Sequence, residues 1–142
     1  MTIAEIAPGD ERLPAVFEVM RELRTQLSLD DFRRLYEQSH AEGYRVAALY
    51  EGDEPRAVAG YRMTTNLISG RHVYVDDLVT AERWRSHGYG RKLTEYLADK
   101  ARSEGCDSVQ LDSAVHRGEA HRFYFREHYR VTAFHFGRYF DE

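Results

Sequence analysis

Near the start of the chain, apolar residues recur at spacings of three and four: Leu13, Val16, Phe17, Met20, Leu23 and Leu27. That period lines one face of a helix and predicts a first helix over residues 9–25. Ser28-Leu29-Asp30-Asp31 then reads as a capping box for a second helix, which ends before Gly43 and turns Phe32, Leu35 and Tyr36 inward. At Tyr44 the pattern changes to β-formers. Residues 44–50 predict a strand, Glu51-Gly52-Asp53-Glu54-Pro55 a turn, and residues 56–65 its antiparallel partner. A second turn over 66–70 leads to a third strand over 71–80, completing a meander. Beyond a stretch of glycines and basic residues, Leu93, Tyr96, Leu97 and Ala101 give residues 90–104 one apolar helical face, closed by Gly105. A short strand over 108–113, a short helix over 117–128 and a last strand over 130–139 follow. The order is α-α-β-β-β-α-β-α-β. Its strand–helix–strand crossover requires at least one parallel pair. The expected fold class is α/β: a mixed central sheet flanked by helices, in a single domain over residues 1–142.

Composition narrows the function classes. A chain of 142 residues can bury a core without metals or disulfides. A net charge of −4 disfavours nucleic acid and anionic membranes as partners. A single cysteine, Cys106, has no internal partner and follows a helix-ending glycine with no nucleophile motif around it; it reads as structural, and a reducing, cytoplasmic setting is the default. The N-terminal residues lack a basic segment followed by an apolar one, and no window approaches a membrane span. Of the seven histidines, His116, His121 and His128 lack the i, i+4 spacing of a zinc helix, so no metal site is expected.

Residues 85–90, Arg85-Ser86-His87-Gly88-Tyr89-Gly90, lie between a predicted strand and a predicted helix. Glycines admit positive φ and close backbone approach, and a helix start offers unpaired N–H groups at the positive end of its dipole. Together they form a site for an anion such as a pyrophosphate. Arg83, Arg85, Arg91 and Lys92 surround it without an acid, in a chain that is acidic overall. No GxxxxGK(S/T) is present and Gly88-Tyr89-Gly90 does not extend to GxGxxG, which disfavours a nucleotidase or dinucleotide fold. Taken alone, the turn is equally an ordinary strand-to-helix connection.

The spacing Arg85-x-x-Gly88-x-Gly90 resembles the (Gln/Arg)-x-x-Gly-x-(Gly/Ala) motif of the GNAT superfamily of N-acetyltransferases. Upstream, Val75-Asp76-Asp77-Leu78-Val79-Thr80 is similar to that family's fourth strand; downstream, Ala120-His121-Arg122-Phe123-Tyr124 resembles its A-x-x-F-Y helix. The resemblance implies splayed fourth and fifth strands, with acetyl-CoA as cosubstrate between them. Leu78 and Val79 would contact the pantetheine arm. The N–H groups of Ser86, His87, Gly88, Tyr89, Gly90 and Arg91, with Arg85 leading in, would hold the pyrophosphate. A β-bulge near Leu78 and Val79 would aim an N–H at the thioester oxygen. The sequence departs from the family pattern at Ser86, where Gly is frequent, at Arg117, where Asn is common, and at His128-Tyr129, where Gly-Phe is common. The family often forms dimers; no feature of this sequence requires one.

The implied reaction is direct transfer of an acetyl group to a primary amine of a small molecule or peptide. An alkyl amine of pKa about 10.4 is neutral only about once in 2,500 at pH 7, so a base or water chain helps it react. Asp77 is the first candidate base, Asp76 the second and His72 a weaker one. Strand alternation would place Val73, Val75, Asp77 and Val79 on one face, with Tyr74, Asp76 and Leu78 on the other. Tyr124 is the candidate acid for the leaving thiolate by resemblance; by periodicity alone, Ala120, Phe123 and Tyr124 are a core stripe. Tyr36, Tyr44 and Tyr61 read as core residues that could also line an acceptor pocket. A non-catalytic acyl-CoA-binding or sensor module on the same fold is the alternative reading.

Overall fold

The computed structural model, which describes residues 1–141, opens on a strand that the apolar period does not announce. The order is β1 (Thr2–Glu5), α1 (Leu13–Met20), α2 (Leu29–Ala41), β2 (Tyr44–Glu51), β3 (Glu54–Asn66), β4 (Gly70–Thr80), a 3₁₀ turn (Glu82–Trp84), α3 (Tyr89–Ser103), β5 (Val109–Leu111) and α4 (Gly118–Arg126). Strand β1 is four residues long, too short to display alternation. Its ladder with β2, from Thr2↔Tyr50 to Glu5↔Ala47, holds it in place.

Helix α1 is shorter than its apolar period. Arg12 N–H and side chain both donate to Asp10, and Pro14 falls in the first turn, where its missing N–H costs nothing. After Met20 the chain tightens into i→i−3 bonds such as Leu23 N–H to Met20 O, so Leu23 and Leu27 join the core from a loop. Helix α2 begins as its sequence prescribes. Ser28 Oγ accepts from Asp31 N–H and Asp31 Oδ2 accepts from Ser28 N–H, both at 3.1 Å.

Strands pair in the order β1-β2-β3-β4-β5. The first four are antiparallel, and β5 adds in parallel to β4 over Val73–Val75 alone. From Asp76 to Thr80, β4 therefore runs on without β5 beside it, as splayed strands require. Two cores cover the two faces of the sheet. On one, Val16, Phe17, Met20, Phe32 and Tyr36 from α1 and α2 meet Val46, Ala48, Val58 and Val79. On the other, Leu93, Leu97 and Ala101 from α3 meet Leu49, Ala59, Tyr61, Val73 and Val75. Cys106 is buried in this second core as a free thiol.

The expected alternation of β4 does not hold. Gly60 pairs with Asp77 and Tyr61 with Val75, so Asp76 is an extra residue, a β-bulge. A one-residue slip exchanges the faces of everything beyond it. Val73 and Val75 therefore pack toward α3, whereas Val79 packs toward α1 and α2, and Leu78 toward α3. The bulge lies at Asp76, and the register through Leu78↔Ala59 and Val79↔Val58 is regular, which corrects the expected bulge near Leu78 and Val79.

The chain divides into two units, Met1–Leu111 and the residues from Asp112 onward. In the second, α4 ends on a Schellman motif: His128 N–H donates to Phe125 O at 3.1 Å and Tyr129 N–H to Tyr124 O at 2.9 Å. His128, at the left-handed position, has φ 71°. The strand expected over 130–139 is not formed. Its side chains alternate suitably, but a strand exists only through a ladder with a partner. Val131, Phe134 and Phe136 remain exposed there, and His135 Nδ1 meets Asp112 Oδ2 at 2.8 Å. Among the described residues no helix is long and apolar enough to cross a membrane. Because a β-carbon is strained at positive φ, His128→Gly is expected to raise stability by about 1 kcal/mol, read as a higher urea midpoint with unchanged slope.

Candidate functional site

The glycine turn is built as a left-handed step into a helix. Arg85 is extended, Ser86 has φ 66°, and Gly88, the N-cap of α3, has φ 81°. A β-carbon at Gly88 would meet nothing within 4 Å, so glycine is required there by conformation and not by space. Ser86 adopts the same left-handed region with a side chain, at the position where the family pattern has Gly. Arg85, Ser86, His87, Gly88 and Arg91 are exposed, Gly90 is half-buried, and Tyr89 turns its ring into the α3-side core. Tyr89 can therefore serve an anion only through its N–H. A surface depression of about 570 Å³ runs from Gly88 along α3, lined by Arg91 and Lys92 and also by Glu95 and Asp99.

Residues without a motif signal pin this turn. The Arg56 guanidinium lies 3.7 Å from the centre of the Trp84 ring and donates to Tyr89 Oη at 2.6 Å. Glu54 accepts from Arg56 and from Arg83. His87 stacks on Tyr89, and its Nδ1–H donates to the carbonyls of Trp84 at 3.1 Å and Arg85 at 2.8 Å. Basic residues read as one cluster in the sequence thus divide their tasks. Arg83 holds the turn to β3, and Arg85 and Arg91 are exposed.

On the α1–α2 side of the sheet lies a cavity of about 480 Å³, lined by Arg24, Tyr44, Arg62, Asp76 and Asp77 above an apolar wall that includes Phe32. The bulge brings both aspartates to it. Asp77 Oδ1 accepts from Arg24 Nε at 2.7 Å and its Oδ2 from the Tyr44 hydroxyl at 2.5 Å. Asp76 forms a two-pronged pair with Arg62, Nε and Nη2 each at 2.8 Å. Arg24 Nη2 also donates to the Asp76 carbonyl at 2.8 Å. Burial, with the neighbouring Asp77 charge second, pushes the Tyr44 phenol well above its ordinary value, so it stays a donor. Arg24 and Arg62 carried no sequence signal, since neither belongs to a motif and their partners are distant in the chain.

The other candidates fall elsewhere. Tyr36 lines the cavity with Tyr44, but Tyr61 is in the α3-side core and donates to Glu5 at 2.8 Å. His72 is buried, with Nδ1–H donating to Gly70 O at 2.9 Å, a structural role. Leu78 is half-buried and Val79 buried, on opposite faces of β4. In the second unit, Tyr124 sits on α4 between the rings of Phe123 and Tyr129. Burial raises its pKa, with Arg117 acting in the opposite sense, which keeps the phenol protonated at neutral pH. Arg117 occupies the N-cap position of α4 and makes no side-chain cap bond, where an Asn would cap the helix.

Gly60 permits the close approach of Tyr44 to Asp77. A β-carbon there would stand 1.7 Å from Tyr44 Oη and 2.7 Å from Asp77 Oδ2. Gly60→Ala is therefore expected to cost about 2 kcal/mol, within the range for overpacking, measured by urea unfolding. Ser86→Gly is expected to stabilise by about 1 kcal/mol on the same assay, because it removes side-chain strain at positive φ.

Residues 13–128 match the profile of the acetyltransferase (GNAT) family. An uncharacterized N-acetyltransferase of Bacillus subtilis, YhdJ, is 39% identical over 109 residues, covering 76% of this chain and 77% of that protein. The aminoalkylphosphonate N-acetyltransferase of Salmonella typhimurium is 32% identical over 62 residues, covering 44% of this chain and 40% of its own length. An aminoglycoside N-acetyltransferase solved in complex with CoA superposes with a TM-score of 0.86 at 12% identity, covering 98% of this chain and 94% of that one, a likeness of fold. With the family profile spanning most of the chain and a relative matched along most of both sequences, this protein belongs to the GNAT family of acetyltransferases.

Proposed function

We propose that this acyltransferase uses acetyl-CoA to acetylate a primary amine of a small molecule or peptide. The observation that carries the reading is the junction of β4 with α3: a strand edge open beyond Val75, followed by a left-handed turn at the start of a 15-residue helix. Among the described residues, the N–H groups of Ser86, His87 and Gly88 bond to no other backbone group. Those donors and the helix start suit a pyrophosphate, and Arg85 and Arg91 add charge. The edge of β4 at Leu78 and Val79, beyond its pairing with β5, suits an extended amide-bearing arm. The CoA bound to the structurally similar aminoglycoside enzyme supports the same donor.

Acetyl-CoA supplies an activated thioester carbonyl; the chain has to hold it, bring the amine to it and manage two protons. Asp77 is the proposed base. Two of the roughly four acceptor positions of its carboxylate are occupied by Arg24 and Tyr44. A proton taken from an amine uses one of the remaining positions, directly or through water. Tyr124 is the proposed acid for the departing thiolate, in keeping with a phenol that burial keeps protonated.

Thiol release from acetyl-CoA is to be followed with an amine panel spanning polyamines, aminoglycosides, amino acids and lysine peptides. Tyr124→Phe is expected to lower kcat by about 10²-fold while KM for acetyl-CoA stays within about twofold. Unchanged kcat would remove Tyr124 from the acid role. Cofactor binding with no turnover on any amine would favour a sensor module instead.

A further inference from the structure

Within the reading of an amine acetyltransferase, we propose that the acceptor is a small amine bearing its own anionic group, and that Arg24 and Arg62 hold that anion. The cavity on the α1–α2 side, at about 480 Å³, suits a small molecule. Its charge balance selects among amines. Asp77 is neutralised by Arg24 and Asp76 by Arg62. Glu42, on the cavity lining, is exposed and has a solvated carboxylate. A polycationic acceptor needs several carboxylates free to receive it, and the two that the bulge aims inward already have guanidinium partners. An acceptor with one amine and one oxyanion keeps the cavity balanced.

The arginines are placed to receive the oxyanion. Each guanidinium has five N–H donors in a planar fork that matches carboxylates and phosphonates. Arg24 uses Nε on the Asp77 carboxylate and Nη2 on the Asp76 carbonyl. Arg62 uses Nε and Nη2 on Asp76. In both the Nη1 edge remains, and the two side chains are 40% and 43% exposed. Their partners are adjacent residues on the bulge, and both arginines line the same cavity. The same bulge sets Asp77 beside them, so an anion on the arginines holds its amine near the proposed base. The aspartates thus serve as struts that preorganise the two cations.

The test is steady-state acetylation of four acceptors that share an aminoethyl group: 2-aminoethylphosphonate, β-alanine, ethanolamine and ethylenediamine. The phosphonate or the carboxylate is expected to exceed ethanolamine and ethylenediamine at least about tenfold in kcat/KM, as charge-assisted bonds to two guanidiniums would give. Comparing the two anionic members decides which oxyanion the cavity takes. Arg62→Gln and Arg24→Gln are each expected to raise KM for the anionic acceptor about tenfold and to leave KM for acetyl-CoA unchanged. Ethanolamine or ethylenediamine turning over as well as the anionic pair would overturn the proposal, as would variants that slow all four acceptors equally. Either result leaves the acetyltransferase intact. No thiol release with these four or with the wider amine panel, despite bound acetyl-CoA, overturns both readings.

Discussion

The bulge at Asp76 is the constraint on which the cavity depends. An unbroken β4 would send Asp76 and Asp77 to opposite faces, one toward α1 and α2 and one into the apolar layer beneath α3. The extra residue turns both toward α1 and α2. It also carries the strand from the α3-side core, through Val75, to the α1–α2 core, through Val79. Two carboxylates so close together would repel, and Arg24 and Arg62 answer each of them. Gly60, across the ladder from Asp77, leaves the room that Tyr44 needs to reach it.

A second constraint is backbone conformation at two positions. Among the described residues, the non-glycine residues with positive φ are Ser86 and His128. Both stand where the family pattern commonly has Gly. The chain keeps the left-handed conformation at each while giving up the residue that adopts it without strain. Around Ser86 the surroundings hold the turn: Arg56 clamps Trp84 and Tyr89, and His87 donates back to two carbonyls of the same turn. Around His128 the paired Schellman bonds do so. In the proposed cofactor role the anion would be held by fixed backbone donors, and the turn's rigidity would serve that role.

Much of this was legible from local chemistry. The Ser28–Asp31 capping box, the meander from Tyr44 to Thr80, the amphipathic α3 and its left-handed glycine entry depend on near neighbours, and the structure forms each of them. The glycine motif, the preceding strand and the A-x-x-F-Y segment identified the family. Expectations that required a distant partner fared differently. The strand β1 exists because β2 offers it a ladder, and residues 130–139 form no strand because they have none.

The sequence by itself determined the Ser28–Asp31 cap, the apolar face of α3, the turn residues and the family, since short-range sterics, hydrogen bonding and periodicity decide these; Leu35, expected inward on α2, is exposed. Tertiary structure alone decided which way Asp76 and Asp77 point, because one unpaired residue in a ladder reverses every face beyond it and leaves no mark in composition. It alone brought Arg24 and Arg62 onto those carboxylates and sorted Tyr36 and Tyr44 into the cavity and Tyr61 into the opposite core. Ion pairs and cavities are made by residues far apart in the chain, and only the packing of α1, α2 and the sheet brings them together.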